Sequence, residues 1–232
     1  MTVRDAARRN AWVLPALAVA LVIGVLPVAA GLRGVVEPDA WAELARPVLW
    51  RRLGTSLALA AAVLAAAVPL GLLLAWLLVR SDLPGRRALL AASAIPLFLP
   101  PLIHALSWFQ LLRLRGVPAI LLVHVVAYLP LVVLVAARAL ERVSRAHAET
   151  LALLGGRAAV LRDDLRQALP AALVGGGLAT VLLLSDFAVA DFLTSVGPKV
   201  TVYADTLFEL HQRGATDAAA VAALPGIAVA LA

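Results

Sequence analysis

The chain has 232 residues, 63% of them apolar and only 15% charged, with a mean hydropathy of +0.97. A water-soluble domain carries about 45–50% apolar and about 25% charged residues, so lipid must be the solvent for much of this chain. The absence of cysteine removes disulfides and thiolate metal sites. A net charge of +6 suggests nucleic acid in a soluble protein, but here arginines flank apolar runs and read as topology signals, so no nucleic-acid partner is expected.

About 20 apolar residues cross the roughly 30 Å of a bilayer's hydrocarbon. Residues 1–10, with Arg4, Arg8 and Arg9, read as a cytoplasmic N-terminus, and 11–30 as a first span. Val28-Ala29-Ala30 before Gly31 imitates a signal-peptide cleavage site, but the apolar run of about twenty exceeds the usual 7–15, so a retained span is the reading. Residues 31–55 form an outer, periplasmic segment in which Trp41 and Trp50 sit where interface anchors do. Residues 56–232 then form the main membrane core, beginning with a second span at 56–79.

A third span at 88–112 contains Pro96, Pro100 and Pro101, which kink it and free backbone carbonyls, a packing irregularity or a gating hinge. A fourth covers 117–137. His104 and His124 each stand alone in a span and read as packing residues. A fifth, 171–193, carries Gly175-Gly176-Gly177 for close helix approach. It also carries Asp186 and Asp191 near its outer end. A mid-membrane carboxylate costs about 2.5–3.5 kcal/mol and often marks a pathway. Five residues apart, the two point about 140° from each other and are not expected to pair. After an outer segment, 194–217, a sixth apolar run at 218–232 is short for a span.

With the N-terminus inside, twelve basic residues fall on the cytoplasmic side, Arg80, Arg86 and Arg87 among them, against eight outside. The expected class is therefore an all-α, multi-pass membrane protein with about six helices, the last incomplete.

Loop 138–170 breaks the apolar pattern. Glu141, Arg145 and Glu149 stand four apart, a spacing that supports a helix leaving the membrane. Gly155-Gly156 loosens the chain. Beyond it Leu161, Leu165 and Leu169 repeat every four residues, widened by Val160 and Ala168, as one apolar stripe. Pro170 is expected to disrupt the helix and turn the chain back toward the membrane. By pattern alone this is an interfacial connector or a docking element.

The loop resembles the cytoplasmic signature of permease subunits of binding-protein-dependent ABC importers: Glu149 stands six residues before Gly155, Leu165 ten after it, and Leu169-Pro170 closes the segment. Thr150-Leu151 replaces the two alanines of that pattern, and Leu-Pro arrives two residues late. Three further stretches are similar to the ferric-iron and thiamine branch of the family: residues 81–86 (Ser-Asp-Leu-Pro-Gly-Arg), 94–101, and Ser185-Asp186-Phe187.

The resemblance implies a type I importer fold in the inner membrane and no enzymatic activity or cofactor in this chain. Its implied partners are ATP-binding cassette subunits, a second permease half, an extracytoplasmic solute-binding protein and membrane lipid. Coupling to the ATPase would fall on Glu149, Gly155, Gly156, Leu161, Leu165 and Pro170, and gating on Asp186, Pro100 and Pro101. Ferric iron is the first implied solute, with thiamine, polyamine or phosphonate as alternatives. The degenerate loop and short last run fit the first half of a fused twelve-span permease. No GxxxxGK[ST] stretch occurs, so the ATPase must be another chain. Two other readings stand beside this one. One is a membrane scaffold binding a soluble partner. The other is an intramembrane enzyme built on His104, Ser107 and Asp186, for which no nucleophile-elbow motif speaks. No His or carboxylate spacing resembles a metal site.

Overall fold

A computed structural model describes residues 13–231; the expected cytoplasmic N-terminus at 1–10 lies outside them. Every regular element among the described residues is helical. Helix α1 (Val13–Ala20) passes through a π-helical turn, Leu21–Val25, into α2 (Leu26–Gly31). Two 3-10 segments follow, Leu32–Val36 and Pro38–Ala45. Then come α3 (Pro47–Arg80), α4 (Arg86–Ala92), a 3-10 turn at Ile95–Phe98, α5 (Pro101–Leu112) and α6 (Gly116–Arg142). The chain closes with α7 (Arg145–Leu184), α8 (Ala188–Leu193), α9 (Tyr203–Gln212) and α10 (Thr216–Leu231).

Three helices are long and apolar enough to cross a membrane: α3, α6 and the stretch Ala146–Leu184 of α7. The third expected span is different. The segments Arg86–Phe98 and Pro101–Leu112 meet at a 101° bend, so that run is a broken span or a re-entrant loop. Proline explains the break, since Pro100 and Pro101 cannot donate backbone bonds and Pro101 opens α5 at its first turn. Residues 15–25 and α10 are apolar but shorter, 16 residues in α10. The second span also begins earlier than its apolar run, at Pro47, because Arg51 and Arg52 are accommodated inside the helix.

Among the described residues the chain divides into two compact units, 51–205 with 230–231, and 13–50 with 206–229. In the second of these, Trp41 and Trp50 donate their indole N–H to the carbonyls of Val35 and Leu44 at 2.9 and 2.8 Å. Gly34 lies so close to Asp217 that an added Cβ would clash with the Asp217 backbone.

The larger unit is built around α6. In its most apolar stretch 56% of residues are buried, against 33% in α3 and 39% in α7, so α6 is central and its neighbours keep outward apolar faces. One apolar cluster joins Leu59 and Val63 of α3 to Ile120 and Val123 of α6, Leu183 of α7 and Val189 of α8. The other joins Leu72, Ala75 and Leu78 to Val132, Val133 and Leu140, and to Ala168 and Ala172. Two short polar contacts hold α9's first turn: Ser56 accepts from the Tyr203 N–H at 2.8 Å, and Asp205 from the Val202 N–H at 2.7 Å. Burial lifts the Asp205 carboxyl above its ordinary range, against the opposing pull of that N–H and of Arg52 and Lys199.

The glycine triplet divides into distinct roles. A Cβ on Gly175 would sit 2.8 Å from the Leu131 carbonyl oxygen and 2.9 Å from the Val132 Cα, backbone that cannot give way. On Gly177 it would meet nothing within 4 Å. Gly175→Ala is therefore expected to destabilise the protein by about 1–3 kcal/mol through overpacking. Gly177→Ala should be neutral or gain up to about 1 kcal/mol of helix propensity. Thermal unfolding in detergent compares them, and equal melting temperatures would contradict the close α6–α7 packing.

Candidate functional site

The charged segment singled out in the sequence is the start of α7, where two helical limbs join at Gly156 with φ 70° and ψ −173°. That backbone conformation is essentially restricted to glycine. Its neighbour Gly155 is needed for space, because an added Cβ would lie 2.7 Å from the Ala159 Cβ. A hydrogen bond between His147 Nε2 and Asp163 Oδ2, at 3.0 Å, ties the limbs together across this joint. The helix pairs expected from Arg145 lie outside the described side chains; Glu141 pairs with Arg138 at 2.9 Å.

The apolar residues of this segment fall into two groups. Leu153 and Leu154, at the tip of the first limb, are 88% and 82% exposed. Beyond the joint Leu161 and Leu165 are half-buried, and Leu165 packs against the cluster formed by α3, α6 and α7. The inward stripe is Leu161, Asp164, Leu165, Ala168 and Ala172 at helical spacing, while Leu169 is 40% exposed. Asp164 is the polar member of that stripe, 1% exposed. Its Oδ1 accepts from Arg80 Nη2 at 2.8 Å; its Oδ2 accepts from Arg80 Nε at 3.0 Å and from Trp76 Nε1 at 3.1 Å. Sequence reading took Arg80 for a topology charge alone. A carboxylate at i+3 on a leucine stripe was the available signal, since a buried carboxylate requires a partner.

Pro170 does not end the helix. Chain 157–184 runs on through it, and both Pro170 and Arg166 are exposed, so the proline sits on an outward face of the helix.

A cleft of about 840 Å³ lies between the α3–α4 turn and this segment. Arg80, Arg86, Arg87, Glu141, Glu149 and Arg157 line it, so Glu149 sits among basic side chains. One of these, Arg86, is also a helix cap. Its Nη1 donates to the carbonyls of Ser81 and Val79 at 2.9 and 3.3 Å, at the C-terminal end of α3.

The residues expected to gate also find partners. Asp186 Oδ1 accepts from the N–H groups of Ala188 and Val189 at 2.9 and 3.3 Å, capping α8 after the helix breaks. Its Oδ2 lies 3.3 Å from His124 Nε2, an ion-pair separation without hydrogen-bond alignment; both atoms are buried. Asp191 pairs with Lys199 at 2.9 Å, and the two aspartates do not meet. At the bend before α5, His104 Nε2 lies 3.0 Å from the Pro96 carbonyl oxygen. His104 and Asp186 thus have separate partners, and Ser107 is exposed, so the three do not assemble as a triad. Among the described residues no group of three or more His, Asp or Glu side chains is placed to hold a metal ion.

No protein-family model matches the chain, and neither does any curated protein. A solved structure does: a bacterial ABC transporter involved in the import of the acidic polysaccharide alginate, with a TM-score of 0.68 and 18% identity, over 99% of this chain and 93% of the matched one. The chain is a multi-pass membrane protein with the fold of an ABC-importer permease.

Gly156→Ala is expected to cost about 1–3 kcal/mol, the scale of an L-residue forced into a glycine-only conformation. Chemical denaturation in detergent measures it; an unchanged midpoint would mean that the joint is not bent as described.

Proposed function

We propose that this chain is a membrane-spanning subunit of an ATP-driven importer of the inner membrane, with its N-terminus in the cytoplasm. Segment 138–170 faces the cytosol and receives an ATP-binding cassette subunit. A second permease half completes the pathway, and an extracytoplasmic binding protein delivers the solute. The observation that carries the reading is the tip formed by Leu153 and Leu154, more than 80% exposed on a charged limb bounded by a glycine joint, in a chain with this fold. Two leucines in water are unfavourable, and a groove on a soluble partner would bury them.

Glu149, Gly155 and Gly156 set the limb and its bend, while Leu161 and Leu165 anchor the following helix to the subunit's own core. Pro170, Pro100, Pro101 and Asp186 mark places where a helix bends or breaks and where movement can be absorbed. Ferric iron is the solute to test first, on the strength of residues 81–86 and 94–101; an acidic polysaccharide, the solute named for the structural neighbour, is second.

Full burial of a leucine is worth about 1.5 kcal/mol at the low end. Replacing Leu153 and Leu154 together by Asp is expected to weaken binding of the ATPase subunit about a hundredfold in Kd. Val36→Asp, an equally exposed apolar residue in the segment read as outer, should leave that affinity unchanged. Titration of the purified ATPase subunit onto the chain in nanodiscs reads both. Equal affinity for wild type and the double variant would contradict the docking role, and no ATPase binding to wild type would favour a scaffold.

A further inference from the structure

The buried contact among Arg80, Asp164 and Trp76 has a geometry that packing alone does not require. Asp164 stands on the inward stripe of α7, eight residues beyond the Gly156 joint, and its two carboxylate oxygens take three donors from the last turns of α3. Both Arg80 bonds run to different oxygens, the two-pronged arrangement that fixes orientation as well as distance. Arg86 holds the same end of α3 through its terminal carbonyls. Below this contact Leu72, Ala75 and Leu78 of α3 and Ala168 and Ala172 of α7 belong to one buried cluster.

The first limb of α7 is attached differently. Leu153 and Leu154 are exposed, its link to the second limb is the solvent-exposed His147–Asp163 pair, and the backbone between the limbs passes through a glycine-only conformation. One limb is clamped to α3 through a buried contact; the other is held to it across the joint by a solvent-exposed one.

We propose that Arg80 and Asp164 are positioning residues that make the 157–184 limb and the Arg80 end of α3 one rigid body, so that displacement of the 145–155 limb by the ATPase bends the chain at Gly156 and reaches α3 through this clamp. Arg80 thereby does more than set topology, and Trp76 keeps Asp164 from turning away. The inference rests on the docking role proposed for the first limb.

The chain has no cysteine, so spin labels can be attached at introduced cysteines without removing native ones. Labels at Leu73 and Arg166 span the clamp, and labels at Leu73 and Thr150 span the joint; all three positions are exposed. In the complex with its ATPase subunits in nanodiscs, the Leu73–Thr150 distance should shift between the nucleotide-free state and ATP with vanadate. The Leu73–Arg166 distance should stay narrow and unmoved. In Asp164→Asn, which keeps the side chain's volume, the ATPase should still bind, yet the Leu73–Arg166 distribution should broaden and follow the nucleotide; Arg80→Lys should fall between.

A nucleotide-dependent Leu73–Arg166 distance in wild type would overturn the clamp, as would an Asp164→Asn distribution identical to wild type. If the Leu73–Thr150 distance does not move, the docking role fails instead. The clamp is then read in the isolated chain, where broadening in Asp164→Asn supports it and an unchanged distribution refutes it.

Discussion

A carboxylate buried in an apolar helix interface must be matched, and Asp164 is matched by an arginine and an indole from one neighbouring helix. Removing one partner from a buried ion pair costs about 3–5 kcal/mol, because the other charge is left without solvent or counter-charge. That penalty fixes the rotation of α7 about its own axis. With Asp164 turned inward, Leu161, Leu165, Ala168 and Ala172 turn inward beside it. Arg162, Arg166 and Gln167 must then face out, and the glycine joint is left to aim the first limb.

The same rule governs each place where the membrane core departs from regular helix. Irregular backbone buried in a protein survives only where its polar groups are satisfied. The bend before α5 is met by His104 at the Pro96 carbonyl, and the break after α7 by Asp186 at the first N–H groups of α8. Thr194 then receives the Val200 N–H at 3.2 Å, and Ser56 the Tyr203 N–H at 2.8 Å. These short polar side chains fix where the chain turns, and the apolar clusters around α6 fill the space between. Asp186 also meets His124 across the core, so the break after α7 is tied to the central helix.

The fold was legible because its signals are one-dimensional. Apolar runs bounded by arginines give helices whatever their neighbours: α3 and α6 cover the second and fourth runs, while α7 takes in the charged loop as well as most of the fifth. The solved structure shares the fold at 18% identity, in keeping with a pattern of hydropathy more than of residues. Contacts between distant positions were less legible. Leu161 and Leu165 lie on an amphipathic stripe that does not say by itself which side its partner is on, and Asp164, three residues beyond Leu161, was the clue that part of it packs inward. Arg80 and Asp164 are 84 positions apart, and His124 and Asp186 meet only once α6 and α7 pack. Pro170 read as a helix end, yet chain 157–184 continues past it with the proline on an exposed face. The 101° bend was visible as three prolines, but not as an angle.

The central claim is that the first limb of α7 meets a nucleotide-hydrolysing partner. A photo-crosslinking amino acid at Leu154, activated in native membranes and followed by mass spectrometry of the adduct, tests it most directly. The account predicts capture of a soluble polypeptide carrying a phosphate-binding GxxxxGK[ST] loop. Adducts with phospholipid alone, or with a protein that binds no nucleotide, would contradict it.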